Sequence, residues 1–316
     1  MDGRRSFFQL TGHKECFKEG TRPDTILKKC TGNEQRCLQL LMNDKLSHFV
    51  PKLIRSIELD GECYVELQDL LANFENASVM DVKMGCRTYE ERELDCALRE
   101  SKLRHDMYDK MVEIDENEPT ANEKTLRAIT KPRYMIWRET VSSTASLGFR
   151  VEGMRLQDGS VDKNFKTTKD EEQIAEAFMR FASSKKIRLK YLNRLYDLRR
   201  ALMQSKFFIS HELIGSSLLF VHDNNEAGIW LIDFAKTHLL PDNTKVTHRR
   251  KWELGNHEDG YLIGVDNLIR IFETTTSRTS ERESTDRGST NQIHYQQDRV
   301  ETYEPSYLAF RIPAGK

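Results

Sequence analysis

Ser78-Val79-Met80-Asp81-Val82-Lys83-Met84-Gly85, residues 78–85, is the stretch on which the reading of this chain turns. Apolar residues interleaved with one acid and one base over 79–84 predict a β-strand. Side chains two apart on a strand share a face, so Asp81 and Lys83 project together. One reading is an exposed ion pair, worth little to stability. The other is a site in which a cation meets phosphate while a carboxylate holds a hydroxyl or a metal. The strand by itself supports both equally.

Working outward, two strands over 53–59 and 62–66 flank Asp60-Gly61, a strong hairpin signal. Asn33 caps a helix carrying Cys37, Leu40, Leu41 and Leu46 that stops before Pro51. Residues 1–30 read as short β segments around Gly12 and Gly20, ending in Thr25-Ile26-Leu27-Lys28-Lys29. Two isolated glycines do not make a G-x-G-x-x-G phosphate loop. From 90 to 137 charged helices replace strand alternation, punctuated by Pro119 and Pro132, and strand signals return at 148–154.

Residues 170–205 predict two amphipathic helices, the first presenting Ile174, Ala177, Phe178 and Phe181, the second Leu192, Leu195, Leu198 and Leu202. The second is also basic, which fits a calmodulin-target or membrane-surface helix, but core packing with a solvated basic face is favoured. Strands at 218–222 and 228–234 make a second hairpin. From 273 to 316 the chain is rich in Ser, Thr, Arg and Glu and is expected to be a disordered tail.

Composition narrows the classes. The 316 residues, 38% hydrophobic and 31% charged, suffice for more than one compact unit. A formal net charge of −1 provides no global field for nucleic acid, so any anion site must come from local clustering. The six cysteines lie between positions 16 and 96 without metal-ligand spacing. No secretory leader and no membrane-spanning run is evident, so a reducing cytoplasmic setting is expected, with the cysteines as small buried hydrophobes.

Three further stretches bear on the Asp81/Lys83 question. Trp230-Leu231-Ile232-Asp233-Phe234 is an apolar strand ending in an acid and an aromatic, the arrangement by which protein kinases present a magnesium ligand. A carboxylate that merely caps the next turn is the plainer alternative. Ser217, heading the partner strand, and Lys236, three residues beyond Asp233, are candidates beside such a metal. The second stretch, 131–138, puts Lys131, Arg133, Arg138, Tyr134 and Trp137 in eight residues behind a helix-starting Pro132. Lys131, Tyr134 and Arg138 share a helical face and suit a compact polyanion. The third contains Arg104 in the same charged region. His211, His222 and His238 read as surface or satisfied core histidines.

Together these elements resemble the inositol polyphosphate kinases, most closely the inositol 1,4,5-trisphosphate 3-kinases. The likeness runs from about Leu10 to Phe272 through ILKK at 26–29, EQRCL at 34–38, DVKMGCRTY at 81–89, TKPRYMIWRETVSSTASLGFR at 130–150, IGSSLLF at 214–220, IDFAKT at 232–237 and EDGYLIGVDNL at 258–268. It implies an α+β fold: a two-lobed, protein-kinase-like, ATP-grasp-related catalytic domain with an added helical inositol-phosphate-binding lobe. The implied divisions are a β-rich ATP lobe at 1–87, the helical lobe at 88–147 and an α+β lobe at 148–272.

Carried over by position, the resemblance implies that Lys28, oriented by Glu34, holds ATP phosphates, with Arg155 and Ser217 also near the nucleotide. Gln68, Asp69 and Leu70 would read adenine, and Asp81 would bind the nucleotide. Lys83 would bridge substrate and transferred phosphate. Arg104, Met107, Lys131, Tyr134, Arg138 and Lys236 would hold inositol phosphates. Asp233, with Ser217 beside it, would ligate Mg²⁺. The implied reaction is ATP- and Mg²⁺-dependent phosphorylation of inositol 1,4,5-trisphosphate at the 3-hydroxyl. A broader multikinase or a silent binding scaffold are its rivals, and calmodulin is left open as a partner. Three positions depart from the family pattern: Ala77 for proline, Ala235 for glycine and Arg155 for lysine.

Overall fold

The hairpin at Asp60-Gly61 organises the first sheet. In a computed structural model describing residues 16–100 and 102–285, the chain opens with β1 (Phe17–Glu19), β2 (Thr25–Lys29) and α1 (Glu34–Leu41). β3 (Leu53–Leu59) and β4 (Glu62–Gln68) follow, and the antiparallel order is β1-β2-β4-β3. Asp60 and Gly61 both take positive φ, 55° and 76°, as the tight turn demands. Helix α1 is shorter than its apolar pattern predicts. Leu46 lies beyond it yet is fully buried, whereas Leu40 is exposed. Asn33 does not cap α1 with its side chain; the amide instead donates to the Thr237 carbonyl at 2.9 Å.

The 78–85 stretch forms β5 (Ser78–Met84), with every residue buried except Lys83. A helical insert follows: α2 (Glu91–Arg99), β6 (Leu103–Arg104), α3 (His105–Ile114), α4 (Ala121–Leu126), β7 (Ile129–Thr130), α5 (Lys131–Thr140) and α6 (Thr144–Leu147). It has its own small core of Met107, Tyr108, Met111, Ile129 and Trp137. The two-residue β6–β7 pair, too short for a period-2 signal, was not expected from the sequence. Pro132 sits in the first turn of α5, where its missing N–H costs nothing, and the Thr130 hydroxyl accepts from Arg133 N.

The remainder comprises β8 (Phe149–Arg155), β9 (Val161–Asp162), α7 (Glu171–Phe181), α8 (Lys185–Gln204), α9 (Lys206–Ser210), β10 (His211–Ile214), β11 (Ser217–His222), β12 (Ala227–Ile232), β13 (Lys236–Leu239) and α10 (Tyr261–Thr285). A five-stranded antiparallel sheet, β12-β11-β5-β8-β9, places β5 at its centre. Helices α7, α8 and α10 cover it through Phe178, Tyr191, Leu195, Leu198 and Phe272. The apolar face of α8 is therefore core. The chain is thus α+β and two-lobed with a helical insert.

Helix α10 corrects the expected tail boundary. It continues past Phe272 to Thr285, with Thr275 and Thr276 buried, so 273–285 is not a disordered tail. The Thr274 and Thr275 hydroxyls donate to the carbonyls of Arg270 and Ile271, a local solution that composition conceals. Residues 286–316, like 1–15, lie outside the described residues. The cysteines are corrected too: Cys37 and Cys86 are buried, but Cys63 and Cys96 are exposed. Among the described residues no helix is long and apolar enough to cross a membrane.

Candidate active site

Between the two sheets lies a cavity of about 660 Å³. One polar feature of its wall joins three separate elements. Lys28 Nζ, from β2, lies 2.5 Å from Glu34 Oε1 on α1 and 2.6 Å from Asp233 Oδ1 beyond β12. The Glu34 side chain is 3% exposed, Lys28 12% and Asp233 41%, so this acid is the member of the trio that faces the open cavity. Burial works against charge on Asp233, yet Lys28 and, more weakly, Lys83 hold its carboxyl below the ordinary range. Burial opposes charge on Lys28 as well, but Asp233 and Glu34 outweigh it and raise its pKa. Charge is thus favoured on Lys28 and Asp233, whereas at Glu34 burial outweighs the attraction of Lys28 and raises the carboxyl.

Asp233 reaches this position through a left-handed backbone, φ 66°, which aspartate tolerates better than bulkier residues. Ala235 is not among the positive-φ residues, so alanine in place of the family's glycine strains nothing there. The glycine that matters is Gly32. A Cβ on it would lie 2.1 Å from the Ala235 carbonyl oxygen, the atom to which Asn33 N donates at 3.0 Å.

β5 supplies one wall. Asp81, 4% exposed, and Lys83 both face the cavity, and Lys83 Nζ donates to the Gly215 carbonyl at 3.0 Å. Beside them on β8 stand Arg150 and Glu152, joined at 2.7 Å. Burial disfavours charge on Glu152, but Arg150, Lys83 and Arg138 lower its pKa, placing all three cations in its field. Gln68, Asp69 and Leu70, where the chain leaves β4, line the opposite end.

The insert closes the mouth. Glu93 on α2 bridges Lys131 of α5 and Lys236 of β13, the latter at 2.8 Å. Burial opposes its ionisation, but bonds from both lysines hold the carboxyl at about 2. Glu90 meets His238, and Glu91 accepts from the Trp252 indole at 2.9 Å. The first turn of α2 thus fastens the insert to the part of the chain that carries Lys236, His238 and Trp252.

Of the residues singled out in the sequence, Lys28, Gln68, Asp69, Leu70, Asp81, Lys83, Asp233 and Lys236 line the one cavity. Lys131 joins them at the mouth through Glu93. Arg138 is 9% exposed and donates to the Lys166 carbonyl; among the described residues no carboxylate lies within ion-pair distance of it. Tyr134 packs on the insert core and Met107 lies within it. Arg104 is half-buried and chelated by Asp106 at 2.7 and 2.8 Å. Arg155 stands at the end of β8 opposite Val79, outside the cavity wall. Ser217 pairs across the ladder with Lys83, but its hydroxyl is fully buried and does not line the cavity. Arg150, Glu152 and Glu93 were missed. The first two are spaced i, i+2 on a strand, the same signal that singled out Asp81 and Lys83.

Beneath the mouth, Glu139 of α5 is 6% exposed and accepts from Thr88 N at 2.7 Å and Thr88 Oγ1 at 2.9 Å. Burial pushes its carboxyl up to about 7, against those bonds. Between 4.5 and about 7 the folded chain keeps a proton that the unfolded chain has lost, so this group's contribution to stability falls as pH rises. The expected result is that the stability of Glu139→Gln relative to the parent grows from about pH 5 to about pH 8, measured by urea unfolding. A pH-independent difference would refute it.

Comparison with known proteins adds the following. The sequence profile described as inositol polyphosphate kinase matches residues 64–273. Inositol-trisphosphate 3-kinase A of Homo sapiens is 50% identical over 277 residues, covering 87% of this chain and 60% of that relative. Inositol-trisphosphate 3-kinase B of Homo sapiens is 51% identical over 268 residues, covering 84% and 28%. The Caenorhabditis elegans homolog is 41% identical over 277 residues, covering 85% and 55%. The chain thus spans about 60% or less of these relatives' own lengths. A crystal structure of inositol phosphate multikinase from S. cerevisiae with ADP and Mn²⁺ superposes with TM-score 0.53 at 17% identity, covering 79% of this chain and 98% of that one. That likeness speaks to fold alone.

Proposed function

The chain belongs to the inositol polyphosphate kinase family, and from that premise we propose that it transfers the γ-phosphate of ATP to the 3-hydroxyl of inositol 1,4,5-trisphosphate, giving the 1,3,4,5-tetrakisphosphate. The observation that carries this reading is the shared cavity, in which the Lys28–Asp233 pair and the Asp81/Lys83 strand lie behind a cationic mouth.

Two polyanions must be held together, so the chemistry is mostly positioning and charge compensation. Lys28, held by buried Glu34, supplies a fixed cation for nucleotide phosphates. Gln68, Asp69 and Leu70 border the adenine end, and Asp81 faces the nucleotide. Lys83 stands between donor and acceptor. Lys131 and Lys236, gathered by Glu93, form a two-pronged phosphate clamp, and Arg138 adds a cation from α5. Among the described residues no cluster of three His, Cys, Asp or Glu side chains forms a metal cage. Mg²⁺ does not need one, because it binds through one or two carboxylates plus substrate phosphates, and Asp233 fits that role. When bound, the metal would neutralise phosphate charge.

The test is incubation with MgATP and a panel of inositol phosphates, products being resolved by NMR. A single tetrakisphosphate from the 1,4,5-trisphosphate is expected. Several products would favour a multikinase, and tight binding without turnover a scaffold. Arg138→Ala is expected to raise KM for the inositol phosphate by at least about tenfold and that for ATP by less than about twofold. Equal changes in steady-state assays would remove Arg138 from the acceptor site.

A further inference from the structure

We propose that Cys30 and Cys63 form a dithiol modification site, which a hydroperoxide converts to an intramolecular disulfide behind the nucleotide site. Cys30 follows β2 directly and Cys63 is the second residue of β4. Cys30 N donates to the Cys63 carbonyl at 2.8 Å, extending the β2–β4 ladder by one pair. Directly opposed residues of such a ladder have Cα atoms about 5.5 Å apart, inside the range a disulfide spans.

The sulfurs already lie 2.8 Å apart. A disulfide is about 2.05 Å long, so closure moves each sulfur by well under an ångström. Reagent can reach the pair, because Cys63 is exposed and Cys30 partly so. Cys37 and Cys86, by contrast, are buried.

The two thiols divide the work. Burial, reinforced by the contact with Cys63, lifts the Cys30 thiol to about 12, which makes it a poor first nucleophile. The more exposed Cys63, as thiolate, attacks the peroxide oxygen; the O–O bond breaks, hydroxide leaves, and Cys63 becomes a sulfenic acid. Cys30 sulfur then attacks the Cys63 sulfur, displacing hydroxide, which takes up the Cys30 proton as water. Two thiols and one hydrogen peroxide thus give one disulfide and two waters.

The new bond staples β2, the strand bearing Lys28, to β4, with little movement of either. The oxidised protein is therefore expected to melt at a higher temperature and to keep its catalytic constants within about twofold. The reduced chain is treated with equimolar hydrogen peroxide, free thiols are alkylated, and a non-reducing digest is read by mass spectrometry. A Cys30–Cys63 peptide pair about 2 Da lighter than its two reduced peptides is expected, in the monomer band and reversible by dithiothreitol. The melting shift should vanish in both Cys30→Ser and Cys63→Ser. No such pair, a pair found only in dimers, or an equal melting shift in either serine variant would overturn the proposal. None of these readouts depends on the phosphotransfer reading.

Discussion

Asp233→Asn is expected to lower turnover by at least about 10³-fold while changing nucleotide affinity only a few-fold. The substitution is nearly isosteric, and the asparagine oxygen can still accept from Lys28, 2.6 Å away in the parent. Lys28 also keeps Glu34 at 2.5 Å, so the cation proposed to face nucleotide phosphates remains in place. What disappears is the carboxylate charge that the Lys28–Glu34–Asp233 trio turns to the open cavity, and with it the proposed metal ligand. The effect should fall on kcat rather than on binding. Single-turnover assays with a parallel nucleotide titration check this, and a thermal melt excludes unfolding as the cause. Turnover within about tenfold of the parent would remove Asp233 from the metal site.

Lys83→Ala is expected to cost about 10²–10³-fold in kcat, the scale of losing one fixed donor to developing charge. Among the described residues its ammonium donates to the Gly215 carbonyl and joins no ion pair, so little of the fold depends on it. Removal leaves that carbonyl facing the cavity, where water can reach it. Lys28, Asp81 and the β4 exit loop remain, so KM for ATP should move little. Lys83→Arg should not restore full activity, since a planar fork cannot stand in for a compact ammonium between two phosphates. A variant with unchanged kcat and a raised KM would show that Lys83 acts in ground-state binding alone.

The sequence disclosed what local chemistry determines. Asp60-Gly61 announced the first hairpin, alternation announced β5, and the apolar spacing of 170–205 announced two helices that the structure places at 171–181 and 185–204. The site's centre was legible because Asp81, Lys83 and Asp233 sit on strands or strand ends whose polarity breaks the apolar pattern. What stayed hidden depends on distant packing. Glu93 looks like one more acid on a charged helix; only folding brings it to Lys131 and Lys236, 38 and 143 residues away. Met107 shows the converse, a residue implied for the acceptor site that packs within the insert core. The α10 extension was masked by a Ser/Thr-rich composition whose hydroxyls are satisfied within the helix itself.

The central place of β5 has a consequence for alignment. Asp81 and Lys83 are separated by two strand steps, about 6.5–7 Å of covalent backbone. That strand is hydrogen-bonded to β11 on one side and β8 on the other, and all but one of its residues are buried. It therefore acts as a ruler: on the proposed assignment, peptide geometry sets the gap between the nucleotide-facing Asp81 and the acceptor-facing Lys83. Substitutions in the first sheet should accordingly alter how tightly nucleotide is held, whereas the distance over which the phosphoryl group travels stays constant.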